Sequence, residues 1–385
     1  MLMKGAALMG SASMLAACSG SGNDSLRATS AISPAEPGAG SAGGKSAGGD
    51  TETVKAALLL PLGGSIQMSI VAKSLQQAAE IALFEQNVAN LQLVIRDDKG
   101  TQPGAAQAAM SAIADGCEII LGPLLGTAVA GAAPIARQAN VPMIPFSNDP
   151  ANGRRGVHLL SFFAATEASR VAGYALSQGR RHFAVLVPDD ALGQDMEPAF
   201  RKAVEQGEGK IAVVARYPNN LSGTVEAAQK VAEAIKVAAD GGSPVDALFV
   251  PASADAVPRL TGVLLRQGID TSRVKLIVSS GWDNPTVLRE PRFAGACPAN
   301  AAPRGWNDFS ARFAKTYNAM PPRLATLAYD AVTVAAAFAG QPKTQRFTPA
   351  NLMREQGFSG VDGKFRLTAA GPVERSLAVL EIQPH

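Results

Sequence analysis

The chain of 385 residues holds only three histidines and three cysteines, and that scarcity removes several kinds of protein at once. His158, His182 and His385 cannot make a histidine-rich metal site. Cys18, Cys117 and Cys297 form no CxxC pair and no Cys/His cluster of zinc spacing, and three cysteines cannot frame a disulfide scaffold. Charge is scarce too: 17% of residues ionise, and 35 basic against 32 acidic residues leave a net charge of +3. The basic residues are scattered rather than gathered on one segment, which argues against a nucleic-acid partner. Gly and Pro, 38 and 25 residues, fall short of the share that marks low-complexity chains, and no G-X-Y period runs through them. The usual catalytic signatures are missing: no G-x-S-x-G elbow, no phosphate-cradling G-x-x-x-x-G-K-[ST] loop and no H-E-x-x-H helix. Ser272-Arg273-Val274-Lys275 has S-x-x-K spacing but precedes a strand-like run, so the Lys does not lie one helical turn from the Ser, and no SDN or KTG partner exists. The reading is a non-enzymatic protein with no cofactor and no metal.

What is present is a large apolar fraction, 47%, enough for two lobes or domains at this length. Residues 1–18, MLMKGAALMGSASMLAAC, have the layout of a secretory signal, with one Lys near the start, a short apolar stretch and then small residues. That stretch is too short to span a bilayer as a helix. Leu15-Ala16-Ala17-Cys18 resembles the bacterial lipobox, whose Cys becomes the lipidated first residue of the mature protein. The resemblance implies membrane attachment in the periplasm through Cys18. Ser19 and Gly20 follow where an Asp would suggest inner-membrane retention, so the outer membrane is the expected anchor site. Residues 19–53 are rich in Gly, Ser, Pro and Ala with almost nothing to bury, a flexible tether whose random-coil span is roughly 30–35 Å. Cys117 and Cys297 are expected to be free and buried.

Beyond residue 54 short apolar runs alternate with longer amphipathic stretches, the pattern of βα units feeding parallel sheets covered on both faces. Strands are expected at Val54–Leu60, 91–96, 118–121 and 141–145, with helices at 66–85, 103–114 and 127–139 between them. A second doubly wound series follows: helix 167–178, strand 183–187, helix 194–205, strand 211–216, helix 224–239, strand Ala247–Val250, helix 256–267 and strand 275–279. Helices at 306–318 and 324–340 and a hairpin-like end, 363–367 with 376–382 around Gly371-Pro372, complete the chain. The fold class is therefore α/β, two doubly wound parallel sheets in series. Such sheets bind ligands at their strands' C-terminal ends, so the two sets of loops are expected to face each other across a cleft. The division expected is 54–160 plus about 284–345 for lobe 1, and about 161–283 plus 346–385 for lobe 2.

The segment GPLLGTAVAGAAPIARQANVPMIPFSNDP, starting at Gly122, strongly resembles the type I periplasmic binding proteins of the leucine/isoleucine/valine-binding group. There a strand ends in Gly-Pro, a helix follows, and VP-x-I opens the next strand. The likeness continues through PDDALGQD, SSGWDNP, RLATLAYDAVTVAAAF and FSGVDGKFRL, from about residue 54 to 382. Within that superfamily GPLLGTAV, PFSND, GWDNP and the RLATLAYDAV…FSGVDGKFR…ERSLAVLEI ending look most like lipoprotein activators of penicillin-binding proteins. That resemblance implies docking on a peptidoglycan synthase and regulation of cell-wall synthesis. The helical-repeat domain that precedes this fold in some activators is not expected here, where residues 19–53 read as a tether. The alternative is a solute-binding receptor that presents an amino acid or related small ligand to an ABC permease.

The resemblance also implies where a cleft ligand meets the protein. A ligand carboxylate is expected at Gly126 and Thr127, which open a helix, and at Ser147 and Asn148 at the next strand end, because backbone N–H groups and the helix dipole favour an anion there. In the second lobe the aromatic of a YG pair is replaced by Leu192-Gly193, and Ala252 and Ala254 stand where another aromatic is usual. Asp283 is the expected partner for an ammonium group, and Tyr329 is expected to face the cleft. A buried zwitterion needs both charges answered, so a half-kept site points to a different ligand or none. Asp190 either touches ligand or caps the next helix, as do Asp97 and Asp98 after an earlier strand. Trp282 either floors a binding site or plugs the space between lobes. Gly63 and Gly64 either let a ligand approach the backbone or make a plain strand-to-helix turn. Replacing the lipid acceptor tests the anchor: Cys18→Ala should release the protein into the soluble periplasmic fraction on cell fractionation, and retention with membranes would contradict the lipobox reading.

Overall fold

The computed structural model describes residues 52–282, 287, 290–300, 303–369, 371–379 and 381–382. The expected signal, Cys18, the tether up to residue 51 and Asp283 lie outside them, whereas Glu52, expected in the tether, is paired with Arg346 at 3.1 Å. Lobe 1 begins with β1 (Val54–Leu60), α1 (Ile66–Gln86), β2 (Leu91–Asp97), α2 (Gln102–Ala114), β3 (Ile119–Leu121), α3 (Gly126–Gln138) and β4 (Met143–Ile144). Its four strands are parallel in the order β2-β1-β3-β4. Strand β1 reads VKAALLL because both its faces are buried. Val54, Ala56, Leu58 and Leu60 point into one apolar cluster, while Ala57 and Leu59 point into another.

Lobe 2 holds α4 (Ala164–Ser177), β5 (His182–Pro188), α5 (Ala191–Gln206), β6 (Lys210–Tyr217), α6 (Leu221–Asp240), β7 (Ala247–Val250), α7 (Val257–Arg266), β8 (Lys275–Val278) and β9 (Cys297–Asn300). The chain then returns to lobe 1 as α8 (Pro303–Tyr317), α9 (Ala325–Ala339), α10 (Pro349–Leu352), β10 (Phe358–Gly360), β11 (Gly363–Arg366) and β12 (Glu374–Arg375), and ends as β13 (Ala378–Val379) in lobe 2. The second sheet runs β13-β9-β8-β7-β5-β6, with only β13 antiparallel. Its two faces repeat the plan of lobe 1: Leu248 and Val250 face α6 and α7, while Ala247 and Phe249 face α4 and α5.

Alanine explains how so few aromatics suffice. Ala72, Ala79, Ala328, Ala331 and Ala335 bring α1 and α9 close together over one face of the first sheet, and Ala105, Ala109, Ala128 and Ala132 do the same for α2 and α3 on the other. Two glycines are demanded by close approach rather than flexibility. Gly122 has φ 86°, and a Cβ there would stand 2.2 Å from the Leu59 carbonyl oxygen. A Cβ on Gly193 would stand 1.9 Å from the Pro188 carbonyl oxygen, where the first turn of α5 folds back on the end of β5.

The expected lobe boundaries are corrected in two places. Phe347, Leu352, Phe358, Phe365, Leu367 and Val373 pack into the core of lobe 1, and Arg346 ties this region to Glu118 (2.6 Å) at the start of β3. Residues 346–375 therefore belong to lobe 1, not lobe 2. Conversely Val287, Phe293, Ala296 and Cys297 pack into lobe 2, so the return to lobe 1 comes after β9 rather than near residue 284. The hairpin-like end is corrected as well: β11 pairs with β10 and β12, whereas β13 crosses to pair with β9. Cys117 and Cys297 are free and buried. Among the described residues no helix is long and apolar enough to cross a membrane. Gly193→Ala should cost about 2–4 kcal/mol, because the clash is with backbone that cannot swing aside; equilibrium denaturation measures it, and an unchanged midpoint would contradict this packing.

Candidate functional site

In each sheet the chain reverses its direction of strand addition between two neighbouring strands, β1 and β3 in lobe 1, β5 and β7 in lobe 2, and loops at such switch points are where doubly wound sheets bind ligands. At the lobe 1 switch point the Gly63 N–H donates to Asp97 Oδ1 (3.1 Å), which also accepts from the Lys99 N–H (2.9 Å). Ser65 then caps α1 by accepting from the Met68 N–H. Gly63 and Gly64 are thus the plain strand-to-helix turn, with the Gly63 donor already spent. Asp98 is fully buried; its Oδ1 accepts from the Gly100 N–H (2.7 Å), its Oδ2 has no partner, and burial pushes its carboxyl up to about 6.

Gly126 opens α3 behind Leu125, which offers no side-chain cap, so the helix start is free of an internal acceptor. A Cβ on Gly126 would meet Asn152 Nδ2 at 2.8 Å, Ser147 Oγ at 3.4 Å and Asp149 Oδ2 at 3.6 Å. Gly126 and Ser147 are brought together as expected, with Thr127 and Asn148 exposed beside them. However, Ser147 Oγ already accepts from the Asp149 N–H (3.2 Å) and from Asn152 Nδ2 (3.4 Å). The Asp149 carboxylate stands near Gly126, its oxygens accepting from the Ala151 N–H (2.9 Å) and Asn152 Nδ2 (3.0 Å).

In lobe 2 Asp190 accepts from the Gly193 N–H (3.2 Å) as the N-cap of α5, and Leu192 packs against the lobe core. With Asp189, Tyr217, Asn219, Asp255 and Arg259, Asp190 lines a small cavity of about 110 Å³ at the switch point. The Asn219 side chain accepts there from Arg259 (2.8 Å). Trp282 is removed from the site: it is fully buried in the lobe 2 core with its ring edge-on to Phe293 at 5.5 Å. Tyr329 is removed too, because α9 turns it away toward α1, where its hydroxyl donates to Glu85 (2.6 Å); burial and that carboxylate push it up to about 12. The expected residues therefore scatter over a helix start, a lobe 2 cavity, a core and a flank. Ser272 and Lys275 are likewise spent separately, on Asp270 and on Glu381 (2.6 Å).

A cavity of about 420 Å³ opens instead where the chain passes between the lobes. Lobe 1 supplies Ser161, Phe162, Arg323 and Arg375; lobe 2 supplies Glu167 and Ser280. The Glu167 carboxylate, in the first turn of α4, accepts from the Ser280 N–H and from the Ser280 hydroxyl (3.1 Å), and burial pushes it up to about 7 despite those bonds. Arg323 is paired with the fully buried Asp362 and lies over the Trp306 ring at 4.9 Å. Arg375 is almost wholly buried, its guanidinium over the Phe162 and Phe365 rings at 4.9 and 5.4 Å. Sequence reasoning missed all of these. The signal that was there is position: Glu167, Arg323 and Arg375 are charged residues beside the segments that join the lobes. Among the described residues no group of three or more His, Cys, Asp and Glu is placed to hold a metal ion.

A two-lobed α/β protein with a cavity at the junction of its lobes is the class this geometry defines. The family model described as periplasmic binding protein matches residues 53–384, and the chain belongs to that family. Solved structures share the fold. One titled a putative branched-chain amino acid ABC transporter, from Rhodospirillum rubrum, has a TM-score of 0.75 at 20% identity, covering 86% of this chain and 98% of that one. A branched-chain amino acid ABC transporter periplasmic ligand-binding protein from Burkholderia xenovorans gives 0.66 at 15%, with 86% and 91% covered. A substrate-binding protein from Desulfitobacterium hafniense, solved with Leu, gives 0.60 at 21%, with 86% and 98% covered. A search of the curated proteins found no match.

The cavity carries a pH test. Because burial holds the Glu167 carboxyl above its ordinary value of 4.5, its charged form costs stability in the folded state, and that cost appears as pH rises from about 4.5 through about 7. Glu167→Gln cannot ionise, so its stability relative to the parent should improve steadily between pH of about 5 and about 8 in denaturant titrations. A difference independent of pH would contradict the burial of this carboxyl.

Proposed function

We propose that the chain is a periplasmic solute-binding protein that closes its two lobes on a small ligand and hands it to an ABC permease, without chemistry of its own. The observation that carries this reading is the cavity at the lobe junction. It is of the size that encloses small solutes, its walls come from both lobes, and charged and hydroxyl groups stand among apolar ones. Closure would bring Glu167 and Ser280 toward Arg323, so ligand and lobe angle are coupled through the same walls. The family and the printed descriptions of the structural neighbours support the reading. Attachment to the outer membrane through Cys18 and a tether belongs to the same proposal.

One observation favours a second reading. Near Gly126, where binding of a carboxylate was expected, stands the chain's own Asp149 carboxylate, and that like charge opposes an amino-acid ligand at this place. A protein relieved of amino-acid transport fits the resemblance to lipoprotein activators of penicillin-binding proteins, with a peptidoglycan synthase as partner. A thermal-shift screen of amino acids, small organic acids and peptidoglycan fragments separates the two. A solute at a hundred times its dissociation constant should stabilise the protein by about 2.7 kcal/mol. No shift with any solute, together with co-purification of a penicillin-binding protein, would overturn the transport reading.

A further inference from the structure

A cavity of about 660 Å³ opens at the pole of lobe 1 where β1, β3 and β4 begin, opposite the strand ends that form the switch point. Val141 and Pro142, which lead into β4, line it, and the Met143 N–H donates to the Gly156 carbonyl (2.8 Å), so the Arg154–Val157 turn sits at the same pole. Phe347 and Leu352 of the lobe 1 core and the exposed Pro349 complete its apolar wall. Arg137, in the last turn of α3, and Arg155 line the cavity and are exposed, and Arg154 is exposed beside them. None of these three side chains hydrogen-bonds or pairs with another described residue. The acids at this pole are already spent, Glu52 and Glu118 on Arg346 (3.1 and 2.6 Å) and Asp115 on Arg96. His158 adds no charge, because its Nδ1 donates to the Thr368 carbonyl (2.7 Å) and burial pulls the ring below its ordinary value. The rim charge is therefore carried by guanidinium groups, which do not shed their protons.

We infer that this pole docks on an anionic phospholipid surface, with lipid phosphates held by Arg137 and Arg155 and the glycerol end of a lipid lying against Val141, Pro142 and Pro349. Two observations choose a membrane as the occupant. The first is where the preceding chain arrives. Glu52, the residue through which 19–51 joins the domain, is held by Arg346 and by Lys343 (3.5 Å), and Phe347, next to Arg346, lines the cavity. An anchor at Cys18 thus leads the chain to this pole. The second is charge: guanidinium groups suit phosphate oxygens, and basic side chains near an anionic leaflet each add attraction that fades within a Debye length. A net charge of only +3 makes a general pull on the whole molecule weak, so the local unpaired arginines decide which face turns to the membrane. One acyl chain or one basic patch alone binds marginally, and the two together hold. Docking at this end leaves the cavity at the lobe junction uncovered, so the inference stands beside the solute-binding reading and does not depend on it.

Vesicle co-sedimentation of the full chain carrying Cys18→Ala, which has no lipid anchor of its own, tests this. The protein should sediment with vesicles of phosphatidylglycerol and phosphatidylcholine in equal parts and stay in solution with phosphatidylcholine alone. Adding Arg137→Gln and Arg155→Gln should lower partitioning about tenfold or more, with an unchanged denaturation midpoint. Lys230→Gln with Lys236→Gln, an equal loss of charge on the exposed face of α6 in lobe 2, should leave partitioning as it was. Absence of binding to the anionic vesicles would overturn the inference without touching the Cys18 anchor or the solute-binding reading. Equal loss in both pairs of substitutions would overturn it too, since the attraction would then belong to the whole surface. So would release by millimolar glycerol 3-phosphate, which would make the cavity a soluble phosphate site, or capture of an acidic protein that needs Arg137 and Arg155 while vesicles do not bind.

Discussion

Two apolar cores, each closed around its own parallel sheet, are joined where backbone passes from one to the other: between Phe163 and Ala164, between β9 and α8, and between β12 and β13. Those passages set what the molecule is able to do. Each core keeps its shape through burial on both faces of its sheet, so relative motion of the lobes is confined to the segments that join them. The cavity lies at those segments, with the Ser161 carbonyl and the Arg375 guanidinium bonded to each other on the lobe 1 side and Glu167 and Ser280 bonded on the other. On the solute-binding reading, a ligand there would touch the segments that join the lobes.

Electrostatics at this junction follow from burial more than from pairing. Glu167 and Asp330 are held above their ordinary values because desolvation outweighs the hydrogen bonds and the cation offered to them, and Asp98 in lobe 1 behaves alike. Exposed pairs such as Arg273 with Asp270 or Arg304 with Asp308 are screened by water and contribute little. At the junction Arg323 is paired with Asp362 and Glu167 is bonded by Ser280, while Arg375 and Asp330 are only partly answered.

Much of the fold was legible because the periodicity is strong. VKAALLL reads as a doubly covered strand and is one, and the βα alternation gave both sheets. Illegible were the places where sequence carries no local preference. Cys-Pro-Ala-Asn at β9 has no β-branched or aromatic residue, and its strand exists because β8 and β13 pair on its two sides. The end of the chain reads as one hairpin around Gly371-Pro372, but Val373 is held by the lobe 1 core while Leu377 and Val379 pack in lobe 2. The site was less legible still. An aromatic at a strand end looks the same whether it floors a cleft or fills a core, and only the packing of Phe293 against Trp282 separates the two. Asp190 and Gly63 were open alternatives: Gly63 donates to Asp97 in a strand-to-helix turn, while Asp190 both caps α5 and lines the lobe 2 cavity. Arg375 and Glu167 are distant in sequence and meet only through the passages between lobes, which no local pattern announces.

The central claim is that a small solute at the lobe junction draws the lobes together, and the distance between the cleft lips reports it most directly. The native Cys117 and Cys297 are buried, so with Cys18 replaced by Ala, spin labels introduced at the exposed Gln67, at the start of α1, and Leu221, at the start of α6, report alone. Double electron–electron resonance with and without the solute that stabilises the protein should show the distance distribution shortening and narrowing on binding. A distribution unchanged at saturating solute would contradict the account.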